Sequence, residues 1–152
     1  MAQYFLDTSA AVKYCHVEVG TPRISALFAE PGRKIRISAL GFIEIQSAFA
    51  MKVRSGILDP KAAGMQRSRF LLDIAAGEIE VYSVTEDHFT TAERLIMHLG
   101  FQHRLRTLDA LQLAVALDLA QQGLLDQFVT ADQVLAEVAS LEHLQVLNPE
   151  KP

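Results

Sequence analysis

The stretch Gln3-Tyr-Phe-Leu-Asp-Thr-Ser-Ala-Ala-Val-Lys-Tyr14 decides how the rest of the chain is read. The aromatic and aliphatic run Gln3 to Leu6 predicts a short strand that stops at an acid, and Ala10 to Tyr14 then predicts a helix. The same succession recurs downstream. Lys34 to Ser38, Glu80 to Ser83, Gln127 to Thr130 and Leu144 to Leu147 read as strands. Helical patterns cover Thr21 to Ala29, Ala39 to Arg54, Pro60 to Ala75, Glu86 to Leu99, Asp109 to Gln122 and Gln133 to Ala139, with Gly20, Pro31-Gly32, Gly56, Gly77, Gly100 and Gly123 as punctuation. Strands alternating with helices predict an α/β fold, a three-layer α/β/α sandwich whose central sheet is mainly parallel. The 152 residues are half hydrophobic and hold no repeat or linker, so a single domain over 1–152 is expected, with Asn148 to Pro152 as a short tail.

Charge is unevenly spread. The net charge of −4 argues against a surface built for indiscriminate nucleic-acid binding. Between Arg33 and Arg69, however, eight basic residues face two acids, a local excess of +6, whereas after Arg106 only Lys151 opposes seven acids, giving −6. Such asymmetry reads either as two solvated faces or as a phosphate-binding rim beside an acidic site. No apolar run approaches a membrane span, and Gln3 to Leu6 lacks a signal-like basic leader. The lone Cys15, in an apolar helical stretch, excludes an internal disulfide and reads as an inert thiol; a reducing, cytoplasmic setting is the default expectation.

Four acids fall where apolar stretches stop or are interrupted: Asp7, Glu44, Asp109 and Asp132. Singly, Asp7, Asp109 and Asp132 read equally well as helix caps, and Asp109 with Gln112 resembles a capping box. Glu44 lies in the apolar run Ala39 to Val53 and needs either a polar stripe or a partner. If the strands before Asp7 and Asp132 are parallel neighbours, both carboxylates emerge at one sheet edge, with Glu44 about one turn into the helix leaving the second strand. Clustered carboxylates lose hydration and repel, so they call for protons or cations, and all-oxygen ligation favours Mg²⁺ or Mn²⁺. Thr8, Ser9 and Thr130 are candidate hydroxyl donors at the same site. The five histidines lack paired ligand spacing.

Taken in order, Phe5 to Tyr14, Glu18-Val-Gly-Thr21, Ile37-Ser-Ala-Leu with Glu44, Thr107-Leu-Asp-Ala-Leu-Gln-Leu-Ala114, Val129-Thr-Ala-Asp132 with Leu135, and Val146-Leu-Asn-Pro149 resemble the PIN-domain ribonucleases, especially VapC-like toxins of toxin-antitoxin pairs. The resemblance spans nearly the whole chain. It implies a PIN-like fold with Asp7, Glu44, Asp109 and Asp132 as catalytic metal ligands for Mg²⁺ or Mn²⁺. It also implies hydrolysis of RNA leaving a 5′-phosphate and a 3′-hydroxyl, a homodimer, and a small inhibitory antitoxin. Cys15-His16-Val17 departs from a commonly apolar and acidic stretch, and the basic segment after Lys52 carries no family signature. Lys52, Arg54, Arg104 and Arg106 are candidate RNA contacts. Competing readings are a structure-selective DNA nuclease and a non-catalytic PIN-like binding module. A haloacid-type phosphatase is disfavoured because Ser9, not a second Asp, stands two residues after Asp7.

Overall fold

The computed structural model describes residues 1–152. Its elements follow the order β1 (Gln3–Leu6), α1 (Thr8–Cys15), α2 (Thr21–Ala29), β2 (Lys34–Ser38), α3 (Ala39–Arg54), α4 (Pro60–Ala75), β3 (Ile79–Tyr82), α5 (Glu86–Leu99), α6 (Thr107–Gln121), β4 (Gln127–Val129), α7 (Gln133–Leu141) and β5 (Val146–Leu147). Every pairing is parallel and the strand order is β3-β2-β1-β4-β5. The expected sheet is therefore present. The differences lie at element ends, where β3 starts a residue earlier than expected and β5 is reduced to two residues.

Side-chain alternation along the strands sorts the core into two layers. Tyr4, Leu6, Ile35 and Ile37 pack with residues of α1 to α4, while Phe5 and Phe128 stack at 5.9 Å on the other face beneath α5, α6 and α7. Arg36 shares that second face and is paid for by polar partners: it donates to Glu80 and Gln3 and, through Nη1, to the Leu124 carbonyl at 2.6 Å. α6 is buried almost all round from Asp109 to Leu117, as expected of a helix wedged between the sheet, α5 and α7.

Much of the basic excess between Arg33 and Arg69 is paired off: Arg33 with Glu78, Lys34 and Arg36 with Glu80, Lys52 with Glu18. α3 and α4 keep part of their apolar surface outside the monomer's core, with Ile43, Met51, Met65 and Leu72 exposed, as is Ile57 in the turn between the helices. The half-buried Cys15 has its thiol pushed up to about 12 by burial, in keeping with an inert role.

The burial of α6 sets a stability test. Leu113, fully buried, and Leu108, 46% exposed, lie on the same helix. Urea unfolding of Leu113→Ala should show a loss of about 2–5 kcal/mol, whereas Leu108→Ala should cost under about 1 kcal/mol.

Candidate functional site

β1 occupies the middle of the sheet because the chain builds outward from it to β2 and β3, then returns to lay β4 on its other side. That reversal opens a crevice at the carboxyl ends of β1 and β4, where open α/β sheets place their ligands. Register puts Leu6 opposite Val129, so Asp7 and Thr130 leave the sheet together. The crevice has a volume of about 390 Å³, and all four sequence-predicted acids line it.

Asp7 is at the bottom. It is 3% exposed, and its carboxylate accepts from the Ser9 hydroxyl at 2.7 Å, the Ala10 N–H at 2.9 Å and the Thr130 hydroxyl at 2.8 Å. Burial outweighs these hydrogen bonds and pushes its pKa from 3.8 to about 6, with the charge of Asp109 adding to the rise. One oxygen of Asp7 caps α1 while the group still faces the crevice. Asp132 behaves likewise, capping α7 through the Leu135 N–H at 2.9 Å.

Asp109 corrects one expectation. It does not cap α6, whose N-cap is Arg106, and no capping box forms with Gln112. Instead Asp109 sits in the first turn, accepting from Arg106 Nε at 2.7 Å. Arg106 Nη2 also lies 3.5 Å from Asp132, so a guanidinium with 69% of its side chain exposed bridges two of the acids. Its position is the one a cation would be drawn to.

The sequence suggests Gln112 only as a capping-box partner and gives no sign of its role in the crevice, because its partners lie far away along the chain. One turn beyond Asp109 and almost fully buried, it donates from Nε2 to Thr8 Oγ1 at 2.8 Å and to Glu44 Oε1 at 3.1 Å, which aims the Glu44 carboxylate. Its Oε1 has no partner and faces Gly41, where a Cβ would stand 3.2 Å away. Burial, followed by the Asp109 charge among the raising influences, holds the Glu44 carboxyl above the usual range, although the Gln112 bond opposes this.

The remaining predicted residues divide. Thr8, Ser9 and Lys52 line the crevice, and Thr130 reaches it through Asp7. Arg54 lies instead on a groove between α3 and α4 with Arg67, and Arg104 is exposed in the loop before α6. No set of three or more acid, His or Cys side chains converges closely enough, as placed, to close around an ion. The donor chemistry nevertheless fits a hard divalent cation: four carboxylates in one crevice, two held above their usual pKa, with Arg106 already drawn between the other two.

A parallel sheet with an acid-lined crevice at its switch point defines an α/β class that includes many phosphate-handling enzymes. Residues 4–141 match the PIN domain, and the chain belongs to that family. No curated protein matches the chain. Among solved structures, VapBC2 from Rickettsia felis bound to a promoter DNA fragment superposes with a TM-score of 0.63 at 16% identity, covering 95% of this chain and 97% of that one. VapC20 of Mycobacterium tuberculosis, a toxin that cleaves the Sarcin-Ricin loop, gives 0.64 at 17% identity over 88% and 93% of the two chains. FitAcB from Neisseria gonorrhoeae gives 0.66 at 17% identity over 96% and 97%. At these identities the similarity is one of fold.

The raised Asp7 pKa sets a pH dependence. Native Asp7 holds its proton up to about pH 6 while the unfolded chain releases it near 3.8, so stability falls as pH rises through that window. The difference amounts to about 3 kcal/mol at most. Metal-free Asp7→Asn should lose this part of the slope and equal or exceed wild type in stability at pH 7. Denaturant unfolding from pH 4 to 7 provides the comparison, and identical profiles for the two proteins would remove Asp7 as its source.

Proposed function

We propose that this protein is a divalent-metal-dependent endoribonuclease, with Asp7, Glu44, Asp109 and Asp132 as the ligands of Mg²⁺ or Mn²⁺. The observation that carries the reading is the desolvated Asp7 sharing one crevice with three further carboxylates. PIN-family membership supports it. Asp7, Glu44, Asp109 and Asp132 would hold a divalent ion, which would supply Lewis-acid stabilisation of phosphate charge and lower the pKa of water near neutral pH.

The chain's own side chains do the rest. Ser9 and Thr130 fix the Asp7 carboxylate, Gln112 aims Glu44, and Asp132 is anchored by its cap on α7. Arg106, exposed and hydrogen-bonded rather than packed, sits beside Asp109 and Asp132 and would be free to contact a nucleic-acid backbone where a divalent ion held those acids. No side chain is required as a nucleophile. The products are a 5′-phosphate and a 3′-hydroxyl.

The biological role we infer is that of a toxin restrained by a small antitoxin. The similar VapBC2 was solved with promoter DNA and a further similar structure is a toxin-antitoxin complex from Klebsiella pneumoniae. Exposed Ile43, Met51, Met65 and Leu72 supply apolar surface for a second copy of the chain or for that partner.

Asp109→Asn and Glu44→Gln should each lower Mn²⁺-supported cleavage of single-stranded RNA at least about a hundredfold, in the range lost with a key electrostatic group, and weaken Mn²⁺ binding by calorimetry. Variants that cut and bind as wild type does would exclude these acids as ligands. Light scattering on the pure protein should give a homodimer. Co-expression with an adjacent small reading frame should yield a complex silent toward RNA, and a monomer with no inhibitory neighbour would remove the toxin role while leaving the nuclease reading in place.

A further inference from the structure

The proposed chemistry uses only one end of the crevice. The other end is lined by Lys13, Lys52, Glu18 and Glu150. Lys13 Nζ donates to Glu18 Oε1 at 3.0 Å and to Glu150 Oε1 at 2.6 Å, and Lys52 Nζ donates to Glu18 Oε2 at 3.2 Å. The lysine side chains are 5% and 11% exposed, against 31% for Glu18 and 40% for Glu150. The cations are thus carried inward by helices α1 and α3, while their counterions reach in from a loop and from the chain's last residues.

Both counterions are placed by local chemistry. Thr21 Oγ1 accepts from the Glu18 N–H at 2.9 Å and donates to the Lys13 carbonyl at 2.9 Å, which folds the loop over α1. Gly20 adopts φ 90°, and a Cβ there would stand 3.1 Å from Lys13 Cδ and 3.2 Å from the Pro149 backbone. Glycine takes this left-handed φ without strain and leaves room for the segment after β5 to lie close to Lys13, where any Cβ would be tight. The residues expected to form a short tail therefore contribute Glu150 to the lining of the crevice.

A buried ammonium must keep a partner, but the partner need not stay the same. Glu150 is the easier of the pair to remove, because it is more exposed and pairs with Lys13 alone, whereas Glu18 holds both lysines. Lys13 and Lys52, bridged by Glu18, present two cations to a crevice whose other end handles phosphate esters in the reading above, on which this inference rests. We propose that Lys13 and Lys52 form a second backbone-phosphate subsite for the bound nucleic-acid strand, and that Glu150 is its built-in competitor, displaced when a phosphate takes over Lys13. An acidic crevice then admits RNA only where a phosphate outcompetes a carboxylate already in place.

The test is binding of a short single-stranded RNA in EDTA, followed by fluorescence anisotropy over a range of salt. Glu150→Gln should tighten binding by roughly two- to tenfold at low salt and steepen the log–log salt slope by about 0.7, the increment for one more phosphate contact on a single strand. Adding Lys13→Gln to that variant should cancel the gain without leaving a buried charge unpaired. Glu142→Gln, which removes an equal charge outside the crevice, should bind as wild type does. Unchanged affinity in Glu150→Gln, an equal gain in Glu142→Gln, or a gain that survives Lys13→Gln would each overturn the subsite. If any of these occurs while wild type still cuts RNA with Mn²⁺, the nuclease reading stands alone; a wild type that neither binds nor cuts RNA overturns both.

Discussion

A carboxylate with almost no water around it, at the end of the central strand, is the constraint to which the rest of the structure answers. Asp7 is held there by the β1–β4 pairing, since its own N–H donates to the Val129 carbonyl at 3.1 Å and its side chain is gripped by Thr130. Its charge is costly at that position, and neighbouring elements supply hydroxyls, a backbone N–H and, one layer out, the Arg106 guanidinium between Asp109 and Asp132. Stability and function are therefore opposed at this point. In the proposed reading, the arrangement that strains the metal-free protein is the one that would draw in a cation.

The crevice is electrically divided. At one end the acids outnumber their single bridging arginine; at the other, two lysines and two glutamates balance. The division follows from the scaffold, because α1 carries Lys13 while its N-cap is Asp7, and α3 carries both Glu44 and Lys52 two turns apart. Helices that leave adjacent strands thus span both halves, and their rigid packing against the sheet fixes the spacing between cation-seeking and anion-seeking groups.

The fold was legible because each strand is bounded by turn residues and each helix is long enough to show its period, so only ends such as β3 and β5 shifted. The four acids were legible through their places at strand ends and helix starts. What the chain order could not reveal was pairing. Nothing in the spacing of Lys13, Glu18 and Glu150 places them together, since they are joined by a glycine turn and a docked terminal segment. Likewise Gln112 stands in an apolar helix where its partners, Thr8 and Glu44, lie 104 and 68 residues away. The capping alternative for Asp109 also fails, because the sequence shows a short acid near a helix start but not the arginine side chain that takes it.

The strand order carries a consequence for biosynthesis. β1 emerges first yet gains one of its two neighbours only with β4, and Asp7 meets Thr130 across 123 residues of chain. While β4 is still unmade, one edge of the central strand lacks its partner, and Asp7 lacks both the Thr130 hydroxyl and the wall that bears Asp132. Glu150 joins the lining at the opposite end of the crevice later still. The crevice is thus completed only once Glu150 has been made, so a chain translated no further than α6 carries Asp7, Glu44 and Asp109 without the pocket that unites them with Asp132.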